Sequence, residues 1–143
     1  MSLNTAFPHL AKEGYDETSP ATPRYNCIAW AVGVTDAWWW PVPQAVHYWP
    51  RGVPAEETLH AFFQAFATLG FIPATDSQLE SGFQKLALYV RDGKPTHAAR
   101  QQSDGSWTSK QGKHIDIRHT LAGLEGPVYG QVAGFMKRPL AES

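Results

Sequence analysis

The amino-acid sequence predicts a single α+β domain, residues 1–143, in which helices come first and strands follow. Three observations support this fold class. Residues 27–32 are apolar all round, which is typical of a buried helix. Apolar residues then recur at spacings of three and four between positions 59 and 69, as in an amphipathic helix. From Phe83 the apolar period changes to two. We expect both helices to pack on an antiparallel sheet of three or four strands.

The N-terminal half contains an arm, two helices and a loop. Residues 1–23 are rich in Pro, Ser, Thr and charge and predict an extended arm. Asn26 is a preferred N-cap residue and begins the buried helix, which ends at Gly33. Residues 36–51 contain three prolines and predict an irregular, aromatic-rich loop. The amphipathic helix should follow residue 54, with acidic residues in its first turn.

The C-terminal half reads mostly as strands. In the first long strand, Leu86, Leu88 and Val90 share one face. Ser103 to Ser106 gives a strong hairpin signal. The predicted strands are 71–74, 85–90, 96–102, 107–111 and 128–136, and a short helix is expected over residues 118–124.

Composition excludes several classes of function. The formal net charge is −1, and no basic stripe is present, so we expect neither nucleic acid nor a membrane as a partner. The single cysteine permits no intrachain disulfide. The first 23 residues contain no apolar core of signal-peptide length. We therefore expect a cytoplasmic protein, with signal-independent export left open.

Cys27 is the first candidate catalytic residue. It follows the N-cap Asn26, so it should lie in the first turn of the buried helix. The positive end of the helix dipole favours thiolate, the reactive form of cysteine. The alternative is that Cys27 is only a small buried hydrophobic residue.

His97 is the best candidate for a general base, because it opens a predicted strand at the rim of the sheet. A cysteine at the start of a buried helix, followed by a sheet in which a strand opens with His-Ala, resembles the papain-like cysteine peptidases and amidases. The compact bacterial cell-wall amidases are the most similar branch in size and element order. The segment Asn-Cys-Ile-Ala-Trp-Ala also resembles a bacterial family to which we attach no activity.

The resemblance implies a Cys27–His97 pair, a polar residue on the next strand that orients the histidine, and no metal or organic cofactor. If Asp104 and Gly105 form a two-residue turn, His97 lies opposite Gly112, and Gln111 is a nearby polar residue. His119 is the second candidate for the orienting role. The backbone N–H of Cys27 would be one oxyanion donor.

A substrate cleft is expected beside the pair. The aromatic loop leaves the helix that carries Cys27, so its rings either border this cleft or fill the core. The residues expected to contact substrate are Asn26, Trp38, Trp39, Trp40, Trp49 and Arg100.

These residues predict a thiol-dependent amide hydrolase or acyl transferase acting on a peptide, a protein or a peptidoglycan stem. One alternative is a protein-interaction module of the immunity or adaptor type, which predicts an unreactive Cys27 and an exposed aromatic patch. Another is a carbohydrate-binding domain, which predicts coplanar, exposed tryptophan rings. His114, Asp116 and His119 have poor spacing for metal ligands, so a solvated polar stretch is favoured there.

Overall fold

The fold is a seven-stranded antiparallel sheet with three short helices, described by a computed structural model that covers residues 7, 15–19, 25–34, 39–41, 48–110 and 116–140. The sheet order is β1-β6-β5-β4-β3-β7-β2. The helices are α1 (Cys27–Ala31), α2 (Leu59–Ala67) and α3 (Leu121–Leu124). The strands are β1 (Tyr15–Ser19), β2 (Ile72–Ala74), β3 (Phe83–Arg91), β4 (Lys94–Gln101), β5 (Trp107–Lys110), β6 (Asp116–His119) and β7 (Gln131–Pro139).

The α+β class is confirmed, but the sheet is larger than the three or four strands expected. Part of the N-terminal arm forms the edge strand β1, which pairs with β6. The helix expected over residues 118–124 is wrong at its start, because β6 runs to His119 and α3 begins at Leu121. Thr120 separates the two elements, and its hydroxyl accepts a hydrogen bond from the Gly123 N–H at 3.0 Å, as an N-cap does.

Helix α1 is buried as expected and lies against the centre of the sheet. The Asn26 Oδ1 accepts a hydrogen bond from the Ala29 N–H at 3.1 Å, which caps the helix. Small apolar residues then let the helix approach the sheet closely, and Ile28 and Ala29 are fully buried. Gly33 adopts a φ of +83° directly after the helix, a conformation that glycine reaches without strain.

Helix α2 begins later than predicted. Its N-cap is Thr58, whose hydroxyl accepts a hydrogen bond from the Ala61 N–H at 3.1 Å. The acidic pair Glu56 and Glu57 therefore precedes the helix and does not fill its first turn. Phe62 and Phe66 form the buried stripe, as their spacing predicted.

The sheet has an apolar core on both faces. One face packs against α1 and α2 and the other against α3. Alternate residues of β3 therefore serve different cores, and the strand is buried from Lys85 to Tyr89. The face toward α1, here called the helix face, includes Leu86, Leu88, Ala98 and Met136. The opposite face, here called the far face, includes Ala87, Tyr89, Ala99, Trp107 and Ile117.

The β4–β5 hairpin differs by one residue from the predicted register. A two-residue turn would pair Gln101 with Thr108, but the structure pairs Gln101 with Trp107. The reason is a longer loop, closed by a hydrogen bond of 2.7 Å from the Gln102 N–H to the Ser106 carbonyl oxygen. This register would not place His97 opposite Gly112, and Gly112 itself lies outside the described residues.

Replacing Asn26 by alanine should destabilise the protein by about 2–3 kcal/mol, because the helix cap and a buried bridge to the aromatic loop disappear together. Urea denaturation followed by tryptophan fluorescence measures the change. Thr58→Ala is the matched control, since it removes only a helix cap and should cost about 1 kcal/mol. Equal losses in the two variants would contradict the bridging role of Asn26.

Gly130→Ala should destabilise the protein by more than about 3 kcal/mol. Gly130 has a φ of +81°, and a Cβ there would overlap the carbonyl oxygen of Val90. Gly93 has a similar φ of +79° but no atom within 4 Å of a built Cβ. Gly93→Ala should therefore cost only about 1–2 kcal/mol. Thermal unfolding of both variants separates the steric effect from the conformational one.

Candidate functional site

Cys27 occupies the first position of α1 and is nearly buried, with 7% of its surface exposed. Burial raises the pKa of the Cys27 thiol to about 11. The backbone N–H groups of Ala98 and Ile28 approach the sulfur, and they and the Lys110 charge oppose this rise. The expectation of a lowered thiol pKa is therefore wrong for this state, because desolvation outweighs the helix terminus and the nearby donors.

His97 is fully buried on β4, and neither of its ring nitrogens has a hydrogen-bond partner among the described residues. Its ring stacks on Tyr129 with centroids 4.0 Å apart and planes at 10°, and it meets the edge of Tyr89 at 5.4 Å. Burial lowers the pKa of His97 well below its usual value. The structure thus holds a neutral imidazole in an aromatic setting.

No hydrogen bond joins Cys27 to His97, because neither ring nitrogen of His97 has a partner among the described residues. The N–H that approaches the sulfur belongs to Ala98, the residue directly after His97. Adjacent residues of a strand point to opposite faces, however. Ala98 faces α1, whereas the His97 ring lies among Tyr89 and Tyr129 on the far face.

His119 lies on β6 and is hydrogen-bonded to Ser109, not to His97. Its Nδ1 is 2.7 Å from the Thr120 carbonyl oxygen, which can only accept, so Nδ1 carries the proton. Its Nε2 then accepts from the Ser109 hydroxyl at 2.5 Å. Because both nitrogens are engaged, His119 does not orient His97 through a hydrogen bond. The other candidate for that role, Gln111, lies outside the described residues.

Ser109 was missed by sequence reasoning. It is fully buried, and its contact with His119 joins diagonal neighbours on one face of β5 and β6. Period two is visible around Ile117, which is buried while Arg118 is exposed. Recognising this alternation would have predicted β6 as a strand, and its pairing with β5 would have placed Ser109 and His119 close to each other.

Asn26, which is predicted to contact substrate, makes structural hydrogen bonds. Besides capping α1, its Oδ1 accepts from the Trp39 N–H at 3.1 Å, and its Nδ2 donates to the Trp39 carbonyl oxygen at 2.7 Å. The amide is 3% exposed, so it has little surface to offer a ligand.

The described tryptophans of the aromatic loop pack inward. Trp39 is 3% exposed, and Trp40 and Trp49 meet the Phe62 ring at 5.5 and 5.1 Å. Trp40 and Trp49 are partly buried, whereas the carbohydrate-binding alternative requires exposed rings. Trp38 lies outside the described residues.

Two cavities flank the ends of β4. One, of about 540 Å³, is lined in part by Trp40, Thr96 and Tyr129, and it therefore reaches the ring that stacks on His97. The other, of about 580 Å³, is lined in part by Arg100. The two share no lining residue. The predicted cleft residues Trp40 and Arg100 thus belong to different cavities.

Within the described ranges, no three His, Cys, Asp or Glu side chains are grouped so that they would hold a metal ion. None of the described helices combines the length and apolar character needed to cross a membrane.

The fold and site define a small α+β domain whose lone cysteine begins a helix buried against a central strand. Residues 16–137 match the family model of a domain of unknown function, DUF7689, and the chain belongs to that family. No curated protein and no solved structure matches the chain.

The protein should become less stable as the pH is lowered, because of His119. Burial lowers the pKa of His119 to about 4, whereas an unfolded histidine titrates near 6.5. Between these values the unfolded chain binds more protons, so acidification favours unfolding, by up to about 3 kcal/mol from this residue. Urea denaturation at pH 4.5 and pH 7 measures the difference for wild type, His119→Gln and the control His60→Gln.

His119→Gln should show a smaller loss of unfolding free energy between the two pH values. His60→Gln should behave as wild type, since His60 is exposed. If His119→Gln retained the full pH dependence, the buried neutral state assigned to this imidazole would be wrong.

Proposed function

We propose that the domain is a thiol-dependent amide hydrolase or acyl transferase, papain-like in its chemistry, with Cys27 as the nucleophile and His97 as the base. One observation carries the proposal. A fully buried imidazole has no partner for either nitrogen among the described residues, and the next residue along the strand directs its N–H at the only thiol. An unsatisfied buried polar group costs about 1–3 kcal/mol, and such groups often serve a function.

The proposed reaction starts from a neutral pair. As the Cys27 sulfur attacks the amide carbon, the thiol proton passes to His97. The imidazolium then protonates the leaving nitrogen, the C–N bond breaks, and a thioester remains on Cys27. Water or an acceptor amine attacks the thioester, gives its proton to His97 and regenerates the thiol. The two outcomes are hydrolysis and acyl transfer.

The resting geometry sets one requirement on this mechanism. The imidazole must leave its stack on Tyr129, and because its Cβ points to the far face, the β4 backbone at His97 must also change locally before the ring can approach the sulfur. Substrate would enter through the cavity beside Tyr129 while this movement takes place. The backbone N–H groups of Cys27 and Ala98 near the sulfur would stabilise thiolate and the developing oxyanion.

The residues that line this cavity also indicate the chemical class of the substrate. Trp40 and Tyr129 provide apolar wall, and the exposed charged residues on its rim carry both signs. An uncharged amide between polar flanks fits such a rim better than a highly charged polymer. Peptides, protein side-chain amides and peptidoglycan stems all present such a group. The charged rim residues are Glu57, Arg91, Asp92 and Lys94.

The second candidate is a non-catalytic interaction module. The observation in its favour is the 7% exposure of Cys27, since a shielded thiol is what a purely structural cysteine has. On this view His97 only fills space beside Tyr129. The two candidates differ in the reactivity that they expect of Cys27.

Iodoacetamide should alkylate native Cys27 through the conformation in which His97 reaches the sulfur, and His97→Ala should slow this alkylation by about 10-fold or more, because the base that accepts the thiol proton is lost. Intact-mass spectrometry measures the rate at pH 6 to 10. The chain has one cysteine, so every adduct reports this site.

His60→Ala is the control, since it removes an exposed histidine and should leave the rate unchanged. Equal rates in wild type and His97→Ala would remove His97 from the mechanism. Alkylation only after unfolding in urea would favour the interaction module.

A further inference from the structure

We infer that the cavity lined by Arg100 binds an organic carboxylate, held by Arg100 with support from Arg138. This site does not depend on the proposed chemistry at Cys27. Three features of the structure support the site: two guanidinium groups that share one neutral acceptor, the charges around them and the cavity beside them.

Arg100 and Arg138 lie close together on the helix face. A Cβ built on Gly33 would lie 3.7 Å from Arg138 Nη2 and 4.0 Å from Arg100 Nη1, so both groups converge on one point. The Arg100 guanidinium carbon lies 5.1 Å from the centroid of the Trp30 ring, and that of Arg138 lies 4.6 Å from the centroid of Phe71. Two like charges are thus held side by side on aromatic supports.

Gln84 is the shared acceptor. In one amide orientation its oxygen accepts from Arg138 Nη2 at 3.4 Å. In the other it accepts from Arg100 Nε at 2.6 Å and Nη2 at 3.2 Å. Arg138 Nη2 also donates to the Val32 carbonyl oxygen at 3.2 Å. The described acceptors of both guanidinium groups are therefore neutral, and neither cation has a counter-charge among them.

No described carboxylate lies within ion-pair distance of either arginine. Glu80, the one acidic residue among the described residues of the cavity lining, forms an ion pair with Lys137 at 2.8 Å and lies 3.6 Å from Lys85. Partial burial and the Arg138 charge lower the pKa of Arg100, which is the direction expected for a cation without a counter-charge. An anion would relieve this repulsion.

The cavity has room for an organic ligand. Its volume of about 580 Å³ lies in the range of small-molecule sites. Arg100 and Gln84 form a polar wall, and Leu79, Phe83 and Leu140 provide apolar surface. Guanidinium groups bind carboxylates through two parallel hydrogen bonds. A carboxylate joined to an apolar group, as in an acylated amino acid or a peptide C-terminus, matches both parts of the lining.

The probe is N-acetyl-L-leucine, compared with the uncharged N-acetyl-L-leucinamide. Binding is followed by NMR on the indole N–H of Trp30, which donates to Thr108 beside Arg100. The acid should shift this resonance saturably, and the amide should not. Arg100→Gln should weaken binding at least 10-fold, and Arg100→Lys should weaken it less, because lysine keeps the charge but not the paired donors.

Arg51→Gln is the matched control, because it removes one exposed positive charge elsewhere and should not change the affinity. Cys27→Ser should also bind the acid normally, which separates this site from the proposed nucleophile. The inference is overturned if the amide binds as well as the acid, if the acid gives no saturable shift, or if Arg100→Gln and Arg100→Lys both bind normally. Inorganic phosphate that displaces the acid with higher affinity would also overturn the assignment to a carboxylate.

Discussion

The buried amide of Asn26 is the interaction on which the arrangement around Cys27 depends. One oxygen receives the N–H groups of Ala29 and Trp39, and the amide nitrogen donates to the Trp39 carbonyl oxygen. These bonds fix where α1 begins, and they hold part of the aromatic loop against that point. Because the amide is buried, each bond forms with little competition from water. The position of the thiol follows from this junction.

The central strand β4 then divides the candidate site. Its backbone meets the Cys27 sulfur through the Ala98 N–H, and its side chains alternate between two cores. His97 therefore directly precedes the residue whose N–H approaches the thiol, but its side chain lies on the far face of the sheet. The proposed catalysis requires rotation of the His97 side chain together with a local change in the β4 backbone, since rotation alone leaves the ring on the far face. The aromatic stack with Tyr129 is the contact that this rotation would break.

Much of the fold follows from local pattern. The buried helix, the Phe62–Phe66 stripe and the strands around Leu86 and Leu88 were predictable, because their periods and caps act within a few residues. The edge strand β1 was not, since its segment is polar and gains its structure only by pairing with β6. The register of the β4–β5 hairpin also escaped prediction, because it depends on the length of the loop after Gln101. Of the candidate site, Cys27 and its cap were predictable, whereas the Ser109–His119 contact needed the pairing of strands distant in sequence.

The sequence by itself determined that Cys27 would begin a buried helix, because the Asn26 cap and the apolar run that follows are local features. The tertiary structure alone decided the state of the thiol and the faces of the histidines. Desolvation depends on everything packed around the sulfur, and it outweighs the dipole of a short helix. Likewise, the convergence of Arg100 and Arg138 arises from two strands that flank β3, and no local pattern in the chain records their proximity.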